Sequence, residues 1–132
     1  MSKQAPHRTT RQKRGLLSYR RGHIAEFQCR IALWLKGYRI IAARYKTHQG
    51  EIDLIATRGN TLAFIEVKAR RDQLAAAEAV TEAQKARLAR TGNLFLARQR
   101  GFSRFTIRFD CMIVLPWRWP IHIENAFSPP TI

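Results

Sequence analysis

Residues 50–70, Gly50-Glu51-Ile52-Asp53-Leu54-Ile55-Ala56-Thr57-Arg58-Gly59-Asn60-Thr61-Leu62-Ala63-Phe64-Ile65-Glu66-Val67-Lys68-Ala69-Arg70, read as a β-hairpin. Two apolar, β-branched runs flank the turn signal Gly59-Asn60. Alternation puts Glu51, Asp53 and Ile55 on one face of the first strand, and Leu62, Phe64, Glu66, Lys68 and Arg70 on one face of the second. With Gly59-Asn60 as a two-residue loop, Arg58 pairs with Thr61. That register sets Asp53 opposite Glu66 and Glu51 opposite Lys68.

Directly opposed residues hold their Cβ atoms only about 4.5–5.5 Å apart, and like charges there weaken a sheet. Asp53 facing Glu66 is therefore a poor choice for stability alone. A divalent cation between the carboxylates removes the conflict, because hard ions such as Mg²⁺ take oxygen ligands. Lys68, on the same face as Glu66, supplies a nearby positive charge. A local rule broken without structural gain marks a functional site.

The chain of 132 residues is long enough for one domain with its own core. Its 24 Lys and Arg against 9 Asp and Glu give a net charge of +15, which points to a polyanionic partner. Acids gathered on one hairpin of such a chain need a reason. Cys29 and Cys111 fall in a core helix and a core strand and read as reduced, buried thiols rather than a disulfide framework. No apolar run is long enough to span a bilayer, no signal-peptide core appears, and the expected compartment is the cytoplasm.

Residues 1–21 carry seven Lys and Arg and no acid, which predicts a disordered basic arm. Arg20 and Arg21 close it as candidate nucleic-acid contacts, although a plain solubilising tail has the same composition. A single domain over 22–127 follows, with a short C-terminal tail at 128–132. Helical spacing over 22–36 puts Ile24, Phe27, Ile31, Trp34 and Leu35 on the main apolar face. Ala25, Cys29, Ala32 and Leu33 extend that face, so the helix is expected to be largely buried. Glu26, one turn before Arg30, is either an i,i+4 ion pair or a third carboxylate aimed at the hairpin.

Tyr38–Tyr45 reads as a strand before the hairpin. An Ala-rich helix follows from about Ala75 to Arg100, with a possible break at Thr91-Gly92. Lys85, Arg87 and Arg90 sit in its middle. Lys85 and Arg87, with Arg70, are candidate phosphate contacts, against the simpler reading of a solvated charged face. Thr106–Leu115 is a central strand in which Asp110 needs an Arg or a turn amide. Trp117 and Trp119 are expected to pack over the sheet edge, with stacking on bases as the alternative. Ile121–Phe127 makes the last strand. The order is α-β-β-β-α-β-β, an α/β fold with a mixed central sheet flanked by helices.

An αβββαβ core carrying Asp53, then Glu66-Val67-Lys68 on the next strand, resembles the PD-(D/E)XK nuclease superfamily with its restriction-endonuclease-like fold. More narrowly the chain resembles the bacterial YraN family of predicted endonucleases, related to archaeal Holliday-junction resolvases. Gly22-x-x-Ala25-Glu26, Gly50 to Ile55, Phe64 to Arg70, Ala79-Val80 with Lys85, and Arg108-Phe109-Asp110 carry the likeness over about residues 20–115. The resemblance implies that Asp53 and Glu66 ligate Mg²⁺ or Mn²⁺, with the Val67 carbonyl as a further ligand. It implies that Lys68 orients or deprotonates the attacking water and stabilises phosphate charge, and that Glu26 joins the site. Glu51 is a supporting residue paired with Lys68. Ile52 departs from the proline of the superfamily pattern, and the loop after Lys68 lacks the glycine often found there.

The expected function is metal-dependent hydrolysis of phosphodiester bonds in nucleic acid, DNA first and branched DNA within reach. Resolvase-like relatives also imply a homodimer, with no membrane partner and no small-molecule cofactor. The alternative is a basic nucleic-acid-binding protein that keeps the fold without catalysis; an RNA-directed role is weaker.

Overall fold

The computed structural model describes the backbone of residues 10–72 and 80–127, and side chains from His23 onward. Its elements are α1 (Thr10–Leu35), β1 (Arg39–Thr47), β2 (Gly50–Arg58), β3 (Thr61–Ala69), α2 (Glu82–Arg98), β4 (Thr106–Val114) and β5 (Ile121–Ile123). The five strands form one mixed sheet in the order β1-β2-β3-β4-β5. Only β3 and β4 run parallel, joined by the crossover that contains α2. This is the expected αβββαβ core with one further strand.

The hairpin follows the predicted register: Arg58 pairs with Thr61, and the ladder runs to Leu54 opposite Ile65. Gly59 supports the tight turn with φ +58°, a conformation that costs a residue with a Cβ. Alternate residues of β2 and β3 feed two separate cores. Leu54, Ala56, Ala63 and Ile65 pack with Cys29, Ala32 and Leu33 of α1. Ile55, Leu62 and Phe64 pack with Leu88, Ala89 and Phe95 of α2. The two helices therefore cover opposite faces of the sheet.

Several expectations need correction. α1 starts at Thr10, so residues 10–21 are helical rather than part of an unstructured arm. Between Pro6 and Leu35 there is no proline to stop the helix. Residues 1–9 and 128–132 lie outside the described residues. The face of α1 that meets the sheet is the small one: Ala25, Cys29, Ala32 and Leu33 are buried. Ile24, Phe27, Ile31, Trp34 and Leu35, expected inside, are exposed, with Trp34 at 71%. Small side chains let the helix axis approach the sheet closely, which turns the bulky stripe outward. Both cysteines are buried free thiols, as expected, and burial pushes Cys29 up to about 12 and Cys111 to about 11.

α2 begins at Glu82, capped by Thr81 and Gln84 in a reciprocal capping box. The expected earlier start, at residues 75–79, lies outside the described residues. The helix runs unbroken through Thr91-Gly92. Gly92 is there because α2 touches the sheet at that point: a Cβ would meet the Phe64 ring at 3.0 Å. β5 ends at Ile123, short of Phe127. Trp117 and Trp119 do not pack over the sheet edge; Trp117 is fully exposed.

Asp110 is buried at the centre of a closed polar ring. Arg108 donates to both its oxygens at 2.8 Å, His122 Nε2 lies at 2.7 Å, and the Asn125 amide donates at 2.9 Å. Arg108 also bonds the Tyr38 hydroxyl. Both partner types expected for Asp110, an Arg and a turn amide, are present. Burial alone pushes the carboxyl up, but His122, Arg108 and the amide together hold it below its ordinary value.

Candidate functional site

Strict alternation does not run through Asp53. Ile52 shares the α2 core with Ile55, while Leu54 faces α1. The matching irregularity on the neighbouring strand is Arg44, with φ +51° in the left-handed region. Beyond Leu54 and Ile65 the β2–β3 ladder is not continued, and the Asp53 carboxylate takes the place of a backbone acceptor. Val67 N–H donates to Asp53 Oδ2 at 2.7 Å. A strand residue turns its N–H and C=O to the same side, so the Val67 carbonyl also faces this seam.

Asp53 lines a cavity of about 370 Å³ beneath α1, with Glu26, Arg44, Lys46, Glu51 and Val67 among its walls. Glu66 instead borders a shallow cleft on the α2 side, lined by Gly50, Glu51, Gln84 and Arg87. The two carboxylates nevertheless meet through the seam. Burial pushes the Asp53 carboxyl up to about 7, and the charge and hydrogen bond of Glu66 push the same way; Val67 N–H and Lys68 oppose them. Lys68 Nζ stands 3.4 Å from Glu66 Oε1, with both side chains largely buried. The ladder stops one pair short of Asp53 and Glu66, so the shared face predicted from the hairpin register is not formed; the two carboxylates border opposite faces of the sheet and interact through the seam.

Glu26 is brought to the same cavity. Its carboxylate receives Arg44 Nε at 2.8 Å and lies 3.8 Å from Arg30 Nη1, so the i,i+4 pair and the inward position coexist. Glu51 needs correction: the ladder ends before it could face Lys68, whose ion-pair partner is Glu66. Glu51 is exposed, lies opposite Lys46 on β1, and borders both the cavity and the cleft.

Among the described side chains, the expected phosphate contacts Arg70, Lys85 and Arg87 border different surfaces. Arg87 borders the Glu66 cleft. Lys85 pairs with Glu82 and faces the Phe127 ring. Arg70 lines a separate hollow with Ile24 and Trp117. Arg20 and Arg21 lie on α1 with side chains outside the described residues. Arg44 and Lys46, which do line the Asp53 cavity, were not singled out by the sequence. A cation inside a strand carries no signal of which way it turns.

Among the described residues, no three His, Cys, Asp or Glu side chains converge enough to hold a metal ion by themselves. The donor set still suits Mg²⁺ or Mn²⁺. Mg²⁺ commonly binds through one or two carboxylates and keeps several waters. Asp53 and Glu66 supply two carboxylates whose mutual repulsion a cation would relieve, and the Val67 carbonyl adds an oxygen.

No described helix is long and apolar enough to cross a membrane. The model of the uncharacterised protein family UPF0102 matches residues 25–114 of the chain. A UPF0102 protein of Mesorhizobium japonicum is 51% identical over 110 residues, covering 83% of this chain and 88% of the relative. One from Rhizobium meliloti is 48% identical, covering 86% and 93%. A third, from Parvibaculum lavamentivorans, is 46% identical, covering 87% and 86%.

Proposed function

We propose that this chain, which belongs to the UPF0102 (YraN) family, is a metal-dependent endonuclease that hydrolyses phosphodiester bonds in DNA, branched DNA included. One observation carries the reading: Asp53 and Glu66 interact across a partly buried seam beside Lys68, where desolvation and like charge push Asp53 up to about 7. A protein that only bound nucleic acid would gain nothing from this conflict, and the +15 charge supplies the attraction to a phosphate backbone.

Asp53 and Glu66 would hold Mg²⁺ or Mn²⁺, with the Val67 carbonyl completing the protein's share. The ion, when bound, lowers the pKa of its water and stabilises the charge of the pentavalent phosphate. The protein's own groups do the positioning. Val67 N–H fixes Asp53 in the seam. Glu66 holds the Lys68 ammonium where it stabilises negative charge growing on the phosphate. Glu26 faces the same cavity and is the group to orient a water.

The test is cleavage of linear, flapped and four-way DNA with Mg²⁺ or Mn²⁺, comparing wild type with Asp53→Ala and Glu66→Ala. Both variants are expected to lose at least about 100-fold in rate. Cutting that persists unchanged in both would sink the assignment. The pairing of Glu26 with Arg44 and Arg30 favours the second reading, a non-catalytic nucleic-acid-binding protein, since it occupies the third carboxylate. Salt-dependent binding with no cutting of any substrate is the outcome that selects it.

A further inference from the structure

Among the described residues, Arg44 is the one non-glycine strand residue with a left-handed backbone, φ +51°. That conformation is uncommon for long side chains and is tolerated best by Gly and Asn. Backbone strain of this kind persists where surrounding structure enforces it, and it gathers at functional sites. Here its effect is concrete. The turn at Arg44 breaks the alternation of β1 and sends its guanidinium into the Asp53 cavity, where Lys46 adds a second cation.

Two contacts hold the group: Nε donates to Glu26 at 2.8 Å, and Nη2 meets His23 Nδ1. A guanidinium has five N–H donors in a rigid fork that matches the paired oxygens of a phosphate. The remaining donors, centred on Nη1, meet no acceptor among the described residues. The side chain is 42% exposed, so a ligand can reach it. The cavity lining therefore mixes three carboxylates, Glu26, Glu51 and Asp53, with two cations, Arg44 and Lys46.

We propose that Arg44 is a phosphate-binding residue of this site, its guanidinium taking a non-bridging oxygen of the nucleic-acid backbone and its strained backbone holding it there. Glu26 aims the guanidinium. The proposal rests on the endonuclease reading and deepens it by naming where the substrate backbone is held.

Arg44→Asn separates a structural role from this one, because Asn accepts the left-handed backbone but lacks the guanidinium. The measurement is fluorescence anisotropy of a labelled short DNA duplex across a salt series without added metal, together with thermal unfolding and the cleavage assay. The expected result is an unfolding midpoint equal to or above wild type and duplex affinity about tenfold weaker. The slope of log affinity against log salt should fall by about one. Arg44→Lys should keep the slope and recover part of the affinity. Unchanged affinity and slope in Arg44→Asn, with wild type binding and cutting, would overturn the role of Arg44 and leave the endonuclease reading standing. A lowered midpoint with an unchanged slope would make Arg44 only a structural partner of Glu26. A wild type that neither binds nor cuts DNA would overturn both.

Discussion

The sheet carries a fully buried aspartate and a partly buried one, and their surroundings are opposites. Asp110, at the β4–β5 side, is ringed by Arg108, His122 and the Asn125 amide, which overcome burial and hold it below the ordinary carboxylate range. Asp53, at the β2–β3 seam, receives one amide and is pressed against Glu66, and it rises to about 7. Each sits on a strand flanked by apolar residues. One is satisfied by the fold and the other is left needing something the fold does not provide. A buried carboxylate thus reveals a role by the balance of its partners rather than by its depth.

The contrast can be broken by substitution. The largest effect on stability belongs to Asp110→Ala, which strands the Arg108 guanidinium and the His122 ring in a buried pocket. It should cost about 3–5 kcal/mol in denaturant unfolding. A loss below about 1 kcal/mol would show that the ring is not the anchor its geometry implies.

Asp53→Asn should act in the opposite direction. A carboxyl raised from 3.8 to about 7 keeps its proton in the folded chain after the unfolded chain has released it. The native state therefore loses stability as pH climbs through that interval. Replacing the group with an amide should raise stability by about 1–3 kcal/mol above pH 7 and leave it nearly unchanged near pH 4. Above pH 7, Mg²⁺ should raise the stability of the wild type by about 1.4 kcal/mol at ten times its dissociation constant, and do little for the variant. Equal pH profiles for the two proteins would remove Asp53 as the strained group.

The smallest effect is expected at the rim of the Asp110 ring. Glu124 lies 3.8 Å from Arg108 and 3.7 Å from Arg58, with 41% of its side chain exposed. Solvent screens such pairs, so Glu124→Gln should shift stability by less than about 0.5 kcal/mol. A larger loss would extend the ring outward to Arg58 and Lys36.

The parts of this picture that were legible in the sequence are those fixed by local chemistry. Gly59-Asn60 set the hairpin register from Arg58–Thr61 to Leu54–Ile65, but the single face expected for Asp53 and Glu66 did not follow, because the ladder ends before them. Asp110 in an apolar run demanded an Arg or an amide and has both. What stayed hidden depends on backbone detail or on packing distance. Nothing about Arg44 in a strand announces a left-handed turn, so neither the broken alternation nor the cations lining the cavity could be read. Spacing on α1 identified an apolar helix, but which apolar side faces the sheet was decided by how near the axis comes. Ala25 and Ala32 permit the close approach, and Phe27 and Trp34 do not. The scatter of Lys85, Arg87 and Arg70 over different surfaces was hidden for a related reason: charge on an element says little about which groove it borders.

The seam between β2 and β3 also has a consequence for assembly. Most of the residues that line its cavity, from Arg44 to Ala69, belong to three antiparallel strands joined by two short turns, with His23, Ala25 and Glu26 added from α1. Loop-closure entropy grows with the length of chain closed, so this meander forms at small entropic expense. The ring around Asp110 waits for the crossover through α2 to bring β4 beside β3 and for β5 to fold back. Low contact order belongs to the strained half of the sheet and high contact order to the satisfied half. The carboxylate conflict is thus built into the segment that closes most readily, and the long-range pairing that follows locks it in place.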